Sequence, residues 1–163
     1  MKMTLEQWAR NYPGDLKSED PVQAAIAELI GVACREITDA RNVVSAEGRL
    51  THSYTACLST AGAALAACGY RIRKDSRSHH YKKIESLEYT IGLSPHKVSE
   101  VQNYREERHH SMYDFASVVS ETKADCALAT AESLLSAFEI WILKVHPELA
   151  PTQTRPDADS PGE

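Results

Sequence analysis

Apolar residues in this chain recur mostly in steps of three and four. A short stretch, Leu5 to Arg10, predicts a first helix and is followed by a Pro13-Gly14 turn. Asp20-Pro21 then reads as a helix start, with Asp20 as the cap and Pro21 in the first turn. Val22, Ala25, Ile26, Leu29, Val32, Ala33, Ile37, Ala40 and Val44 follow on one face. That spacing is the signature of an amphipathic helix, and Gly48 is expected to stop it.

A second long helix is predicted from a Thr51 cap, through Tyr54, Cys57, Leu58, Ala61, Ala64, Leu65 and Cys68, to Gly69. Its other side, Ser59, Gly62, Ala63 and Ala66, is also small. Small residues nearly all round suit a central, closely packed helix or a dimer interface. Residues 70–80 read as a polar connection. A short helix spans Tyr81 to Ile91 and ends at Gly92. Ser94-Pro95 opens another helix, running through Val98, Val101 and Arg105. A bend is expected over 114–120. Ser120 then caps the last helix, with Ala124, Ala127, Leu128, Ala131, Leu134, Leu135, Phe138, Trp141, Ile142 and Val145 in register.

No alternating strand pattern intervenes. The expected architecture is all-α: an antiparallel bundle of four main helices plus short ones. Residues 1–19 form an N-terminal extension, with Trp8 docking it. Residues 20–146 form the helical domain. Residues 147–163, rich in Pro and Asp, form a tail expected to be disordered.

Composition narrows the class. The chain has 163 residues, a formal charge of −5, 42% hydrophobic and 25% charged residues, a globular mix. No run approaches the ~20 consecutive apolar residues of a membrane span, and no apolar signal core stands at the N-terminus. A cytoplasmic location is therefore expected, without membrane attachment. The four cysteines, Cys34, Cys57, Cys68 and Cys126, form no C-x-x-C pair and read as small reduced core residues.

Candidate chemistry concentrates in Asn103–Asp114. On a helix, Val98, Val101, Arg105, Arg108 and Met112 share one stripe. Arginines on an inward stripe need acceptors, because an unpaired buried charge is costly. A carboxylate, a subunit interface or a phosphate would each serve. A second feature is the basic segment 71–83, where Arg71, Arg73, Lys74, Arg77, Lys82 and Lys83 stand against Asp75 alone and enclose His79 and His80. It reads either as a phosphate-contacting loop, with His109 nearby, or as a solubilising one. Adjacent histidines point different ways, so no metal site is expected from His79, His80, His109 and His110. His52, His96 and His146 are read as structural residues at helix ends.

The order of these elements resembles the HEPN superfamily, in particular its small stand-alone branch. It runs from a long helix to an Ala-rich helix ending Cys-Gly-Tyr-Arg, a His-His loop and a short helix closed by Gly92. An Arg-x-x-Arg segment reaching Tyr113-Asp114 follows, then an amphipathic helix with a Trp. The resemblance covers about residues 20–145. It implies a helical bundle that homodimerises, and a toxin-antitoxin, stress or defence setting with RNA and an antitoxin as partners. It also implies a metal-independent ribonuclease built on Arg-x(4–6)-His, without cofactor. In that reading Arg105, Arg108, His110 and Tyr113 carry the site. The histidine moves the proton of the RNA 2′-hydroxyl, and the arginines stabilise the phosphorane. Arg105 and His110 satisfy the spacing. Arg108 fits the motif's position better, but places Tyr113 where the histidine belongs, and a tyrosine of pKa ≈ 10 is a poor base. Residues five apart sit about 140° apart on a straight helix, so either pair converges only through distortion or between subunits. Non-catalytic RNA or nucleotide binding, or a protein-interaction dimer, is the alternative.

Overall fold

The structure is a computed structural model that describes residues 1–113 and 118–152, with backbone alone for 111–113. Along the chain it contains α1 (Leu5–Arg10), β1 (Leu16–Ser18), α2 (Gln23–Asn42), α3 (Ala46–Ala67), β2 (Tyr70–Ile72), α4 (His79–Glu85), α5 (Pro95–Tyr113) and α6 (Glu121–Val145). Short 3-10 turns follow α4 at Ser86–Glu88 and α6 at Pro147–Leu149. Among the described residues the fold is all-α apart from one antiparallel ribbon, in which Leu16 pairs with Ile72 and Ser18 with Tyr70.

α3 is the axis of the molecule. It touches α2, α4, α5, α6 and β2, and Ala56, Ala61, Ala63, Ala64 and Ala67 are each at most 2% exposed. Their small side chains let neighbouring backbones approach on several sides, so the Ala-rich face is core. One part of that core joins Ile37, Leu50, Tyr54, Ile84, Val101 and Leu134. Another joins Ile26, Ile30, Phe138 and Ile142. α6 is long and apolar enough, by length and composition, to cross a membrane. Here its stripe from Ala124 to Ile142 is buried against the rest of the domain.

Several boundaries differ from the sequence reading, each for a local reason. α2 begins at Gln23 after an extended Val22 that makes no side-chain cap, so Asp20 and Pro21 precede the helix. It ends at Asn42 without help from Gly48. Gly48 lies instead in the first turn of α3, where its N–H donates to the Ser45 hydroxyl. A Cβ there would stand 2.8 Å from both Ser45 Oγ and Val43 Cγ2. Thr51 is consequently inside α3, and so is His52, whose Nδ1 lies 2.7 Å from Glu36 Oε2 across the α2–α3 seam. The helix starts at Pro95 and Glu121 agree with expectation, with Ser94 and Ser120 accepting from the amides of Lys97 and Lys123. Gly69, at φ +86°, closes α3 as predicted.

Residues 70–80 are not merely a connection, since Tyr70–Ile72 pairs with the N-terminal segment. Trp8 docks that segment: it is 1% exposed, stacks on Tyr89 and donates from Nε1 to Glu85 at 2.9 Å. Tyr12 donates to the same carboxylate oxygen at 2.6 Å. Of the cysteines only Cys57 is fully buried, while Cys34 and Cys126 are exposed. Past Pro147, Leu149 and Ala150 still pack on the domain. The expected tail over 153–163, and residues 114–117 of the expected bend, lie outside the described residues.

Candidate functional site

α5 is anchored by Val98, Val101 and Tyr104, all buried. One turn further along the inward stripe come Arg105 and Arg108. Both meet aromatic faces rather than aliphatic ones. The Arg105 guanidinium carbon lies 5.7 Å from the Tyr81 ring centre, and that of Arg108 lies 5.4 Å from the Tyr54 ring centre. Such contacts let a guanidinium leave water on one face. Gln102 fixes the geometry. Its Oε1 accepts from Arg105 Nε at 3.1 Å, and its Nε2 donates to the Tyr81 carbonyl at 2.9 Å. Glu106 stands 3.8 Å from Arg105.

α4 supplies the facing side. Ser78 enters it with φ 56° and ψ 34°, the one non-glycine left-handed residue among the described residues. Past that turn His80 faces Tyr54 of α3, and His79 packs against His80. Their rings meet edge to face at 4.2 Å, and His80 lies 6.4 Å from the Tyr54 ring. Burial pushes the His80 pKa down to about 4, and the positive charges of His79, Lys83, Arg108 and Arg105 add to the effect. His80 is therefore a neutral imidazole at pH 7, with an acceptor nitrogen among cations.

The floor of this cluster is the Tyr54 hydroxyl. Tyr54 is fully buried, and its oxygen has no hydrogen-bond partner among the described residues. Burial pushes its pKa up to about 12, against the opposing pull of Arg105 and Arg108. Buried hydroxyls are nearly always paired, and this one is an exception.

The structure thus gathers Arg105, Arg108, His79 and His80, with Lys83 close enough for its charge to act on His80. His109 and His110 are exposed on the outer side of α5, their rings 6.2 Å apart. The Tyr113 side chain lies outside the described residues. Arg71, Arg73, Lys74 and Arg77 are exposed, and Arg71 pairs with Glu19 at 3.3 Å. Lys82 is engaged elsewhere: it is buried and donates to Asp15, to Ser76 Oγ and to the Arg77 carbonyl at 2.9–3.0 Å. Sequence reasoning missed Tyr54, Tyr81 and Gln102. Tyr54 is the one aromatic on the Ala-rich stripe of α3, and that is the only signal it leaves.

Elsewhere, Glu36, Asp39 and His52 bring potential ligand atoms within 4.8 Å of one another. The His52–Glu36 contact already satisfies two of the three. Compared with protein-family models, curated proteins and solved structures, the chain gives no match.

Proposed function

We propose that this protein is a HEPN-like, RNA-associated helical-bundle protein that grips a phosphodiester at the Arg105–Arg108–His80 cluster. In this reading α2, α3, α5 and α6 are the four main helices of the bundle. The observation that carries it is the stacking of two guanidiniums on Tyr81 and Tyr54, beside a histidine held neutral. A phosphate oxygen suits both at once. It accepts from both arginines, and its charge favours the protonated form of His80 beside it. The exposed segment from Arg71 to Arg77 then extends the contact along the strand.

A titration of fluorescently labelled single-stranded RNA tests this. Affinity is expected to fall steeply with salt, with a slope of about −0.7 per phosphate neutralised. Arg105→Gln and Arg108→Gln are each expected to weaken binding about tenfold. Binding that ignores both substitutions removes the reading.

A second reading, metal-independent RNA cleavage, is favoured by the neutral state of His80. The acceptor nitrogen would take the 2′-hydroxyl proton, the 2′-oxygen would attack phosphorus, and the arginines would hold the phosphorane charge while the 5′-oxygen leaves and takes a proton from water. His110 faces outward and would serve only in the site of a second copy. Cleavage in EDTA that yields 2′,3′-cyclic phosphate ends and is lost in His80→Ala supports this reading. Loss in His110→Ala instead moves the base to the partner.

Homodimerisation is part of the proposal. Ile140 and Leu143 are 71% and 63% exposed on one outer stripe of α6, a surface suited to a second copy or to an antitoxin. Leu143→Glu is expected to give a monomer in analytical ultracentrifugation.

A further inference from the structure

A groove of about 750 Å³ runs between α2, α3 and β2, with His79 and Lys83 of α4 along one side. That volume is ordinary for a small-molecule site. Its floor is aliphatic, with Ala25 and Leu29 from α2 and Leu65 and Ala66 from α3. Gly62 keeps the floor open, and the Lys83 stem crosses above it, its Cδ 3.6 Å from where a Cβ would stand. The Lys83 ammonium reaches the groove without a carboxylate at ion-pair distance among the described residues. Burial of the side chain lowers its pKa, so the charge is held at a cost. Lys74 stands on the same rim. The remaining charges set a limit: Arg71 is paired with Glu19, and Asp20 sits beside them on the rim.

We propose that this groove binds an aliphatic monoanion, a medium-chain carboxylate whose hydrocarbon body lies on the α2–α3 floor and whose head group meets Lys83. Tyr70 and His79 are the rings in the groove's lining, and among the described residues no stacking contact joins them into a slot for a nucleobase. The unpaired lysine calls for one negative charge, and Glu19 and Asp20 on the rim disfavour a second one on the same ligand. Neither arginine lines the groove, so Arg105→Gln and Arg108→Gln, which test the RNA reading, are expected to leave decanoate binding unchanged.

Isothermal titration of the full chain with decanoate and with decanol tests it. Decanoate is expected to bind saturably at one site and more tightly than the alcohol. Lys83→Met, which keeps the stem and removes the charge, is expected to weaken decanoate about tenfold and leave decanol unchanged. Ala66→Phe fills the groove and is expected to abolish both. Lys74→Gln, a change at an exposed rim position, is expected to cost decanoate a few-fold. The absence of saturable decanoate binding overturns the proposal, as does equal affinity for acid and alcohol, or indifference to Lys83→Met. Dissociation of a dimer by decanoate would show instead that a second copy covers the groove, and would overturn it too.

Discussion

Arg108 lies with its guanidinium carbon 5.4 Å from the centre of the Tyr54 ring, and the phenol beneath it buries a hydroxyl with no partner among the described residues. An aliphatic side chain on α5 would have sealed this place as ordinary core. The cation on the ring keeps it polar at its mouth, and the hydroxyl keeps it polar at its base.

Tyr54→Phe should therefore raise stability. The substitution keeps the ring under Arg108 and removes one buried oxygen whose desolvation nothing offsets. The gain expected is about 1 kcal/mol in urea denaturation, with an unchanged m-value. The same variant should keep its RNA affinity, because the ring under Arg108 remains and the hydroxyl lies out of a ligand's reach. A destabilised variant would mean that the oxygen is already satisfied in solution.

His80 should make the fold acid-sensitive. Its folded pKa of about 4 lies below the unfolded value of 6.5, so between the two the unfolded chain binds more protons. Stability contributed by His80 is complete above pH 6.5 and is lost as pH falls toward 4. About 1–2 kcal/mol is expected, since solvent on the open side of the ring screens part of the shift. His80→Gln should flatten this part of the pH–stability curve. RNA binding should raise the His80 pKa, seen as a displaced imidazole titration by NMR, and affinity should rise as pH falls through the new value.

The inward stripe of α5 was legible because Val98 and Val101 fix the phase of the helix, and that phase carries Arg105 and Arg108 inward. What they meet was not legible. Tyr54 and Tyr81 come from helices distant in sequence, and periodicity says nothing about which helix faces which. The serine caps before Lys97 and Lys123 were readable because a hydroxyl followed by an apolar period has few other uses. The ribbon of β1 and β2 was not, since each strand has three residues and a pattern that short carries no period. Lys82 and Lys83 illustrate the same limit. In the sequence they are one basic pair, whereas on α4 they point to different places.

Gly48 belongs to the start of α3, not to the end of α2. Gly48→Ala raises intrinsic helix propensity, and on propensity alone it would stabilise α3 by just under ~1 kcal/mol. The new Cβ would stand 2.8 Å from Ser45 Oγ and from Val43 Cγ2, which is closer than contact allows. The cap has to open, and the Ser45 hydroxyl loses the Gly48 amide. A net loss of about 1–2 kcal/mol is expected. Thermal unfolding followed by circular dichroism decides the sign, and a raised midpoint would show that the α2–α3 turn yields easily.

Lys82 and Lys83 should separate cleanly by experiment. The Lys82 ammonium has three acceptors, and its side chain is 11% exposed. One of them, Asp15, is held below the usual carboxylate range chiefly by this bond and by Ser76. Lys82→Met removes the charge, leaves Asp15 with Ser76 alone and loosens the N-terminal segment from α4. A loss of about 2 kcal/mol is expected, with faster amide exchange at Arg73, whose N–H donates to the Asp15 carbonyl at 2.8 Å. Because Asp15 titrates low in the fold, its share of stability is present at neutral pH and disappears as pH falls through its folded pKa. The wild type should lose that share in acid, and Lys82→Met should have less left to lose. RNA affinity should change little, because this ammonium is already fully engaged. A variant as stable as the wild type but unable to bind RNA would reverse the assignment and make Lys82 a ligand contact.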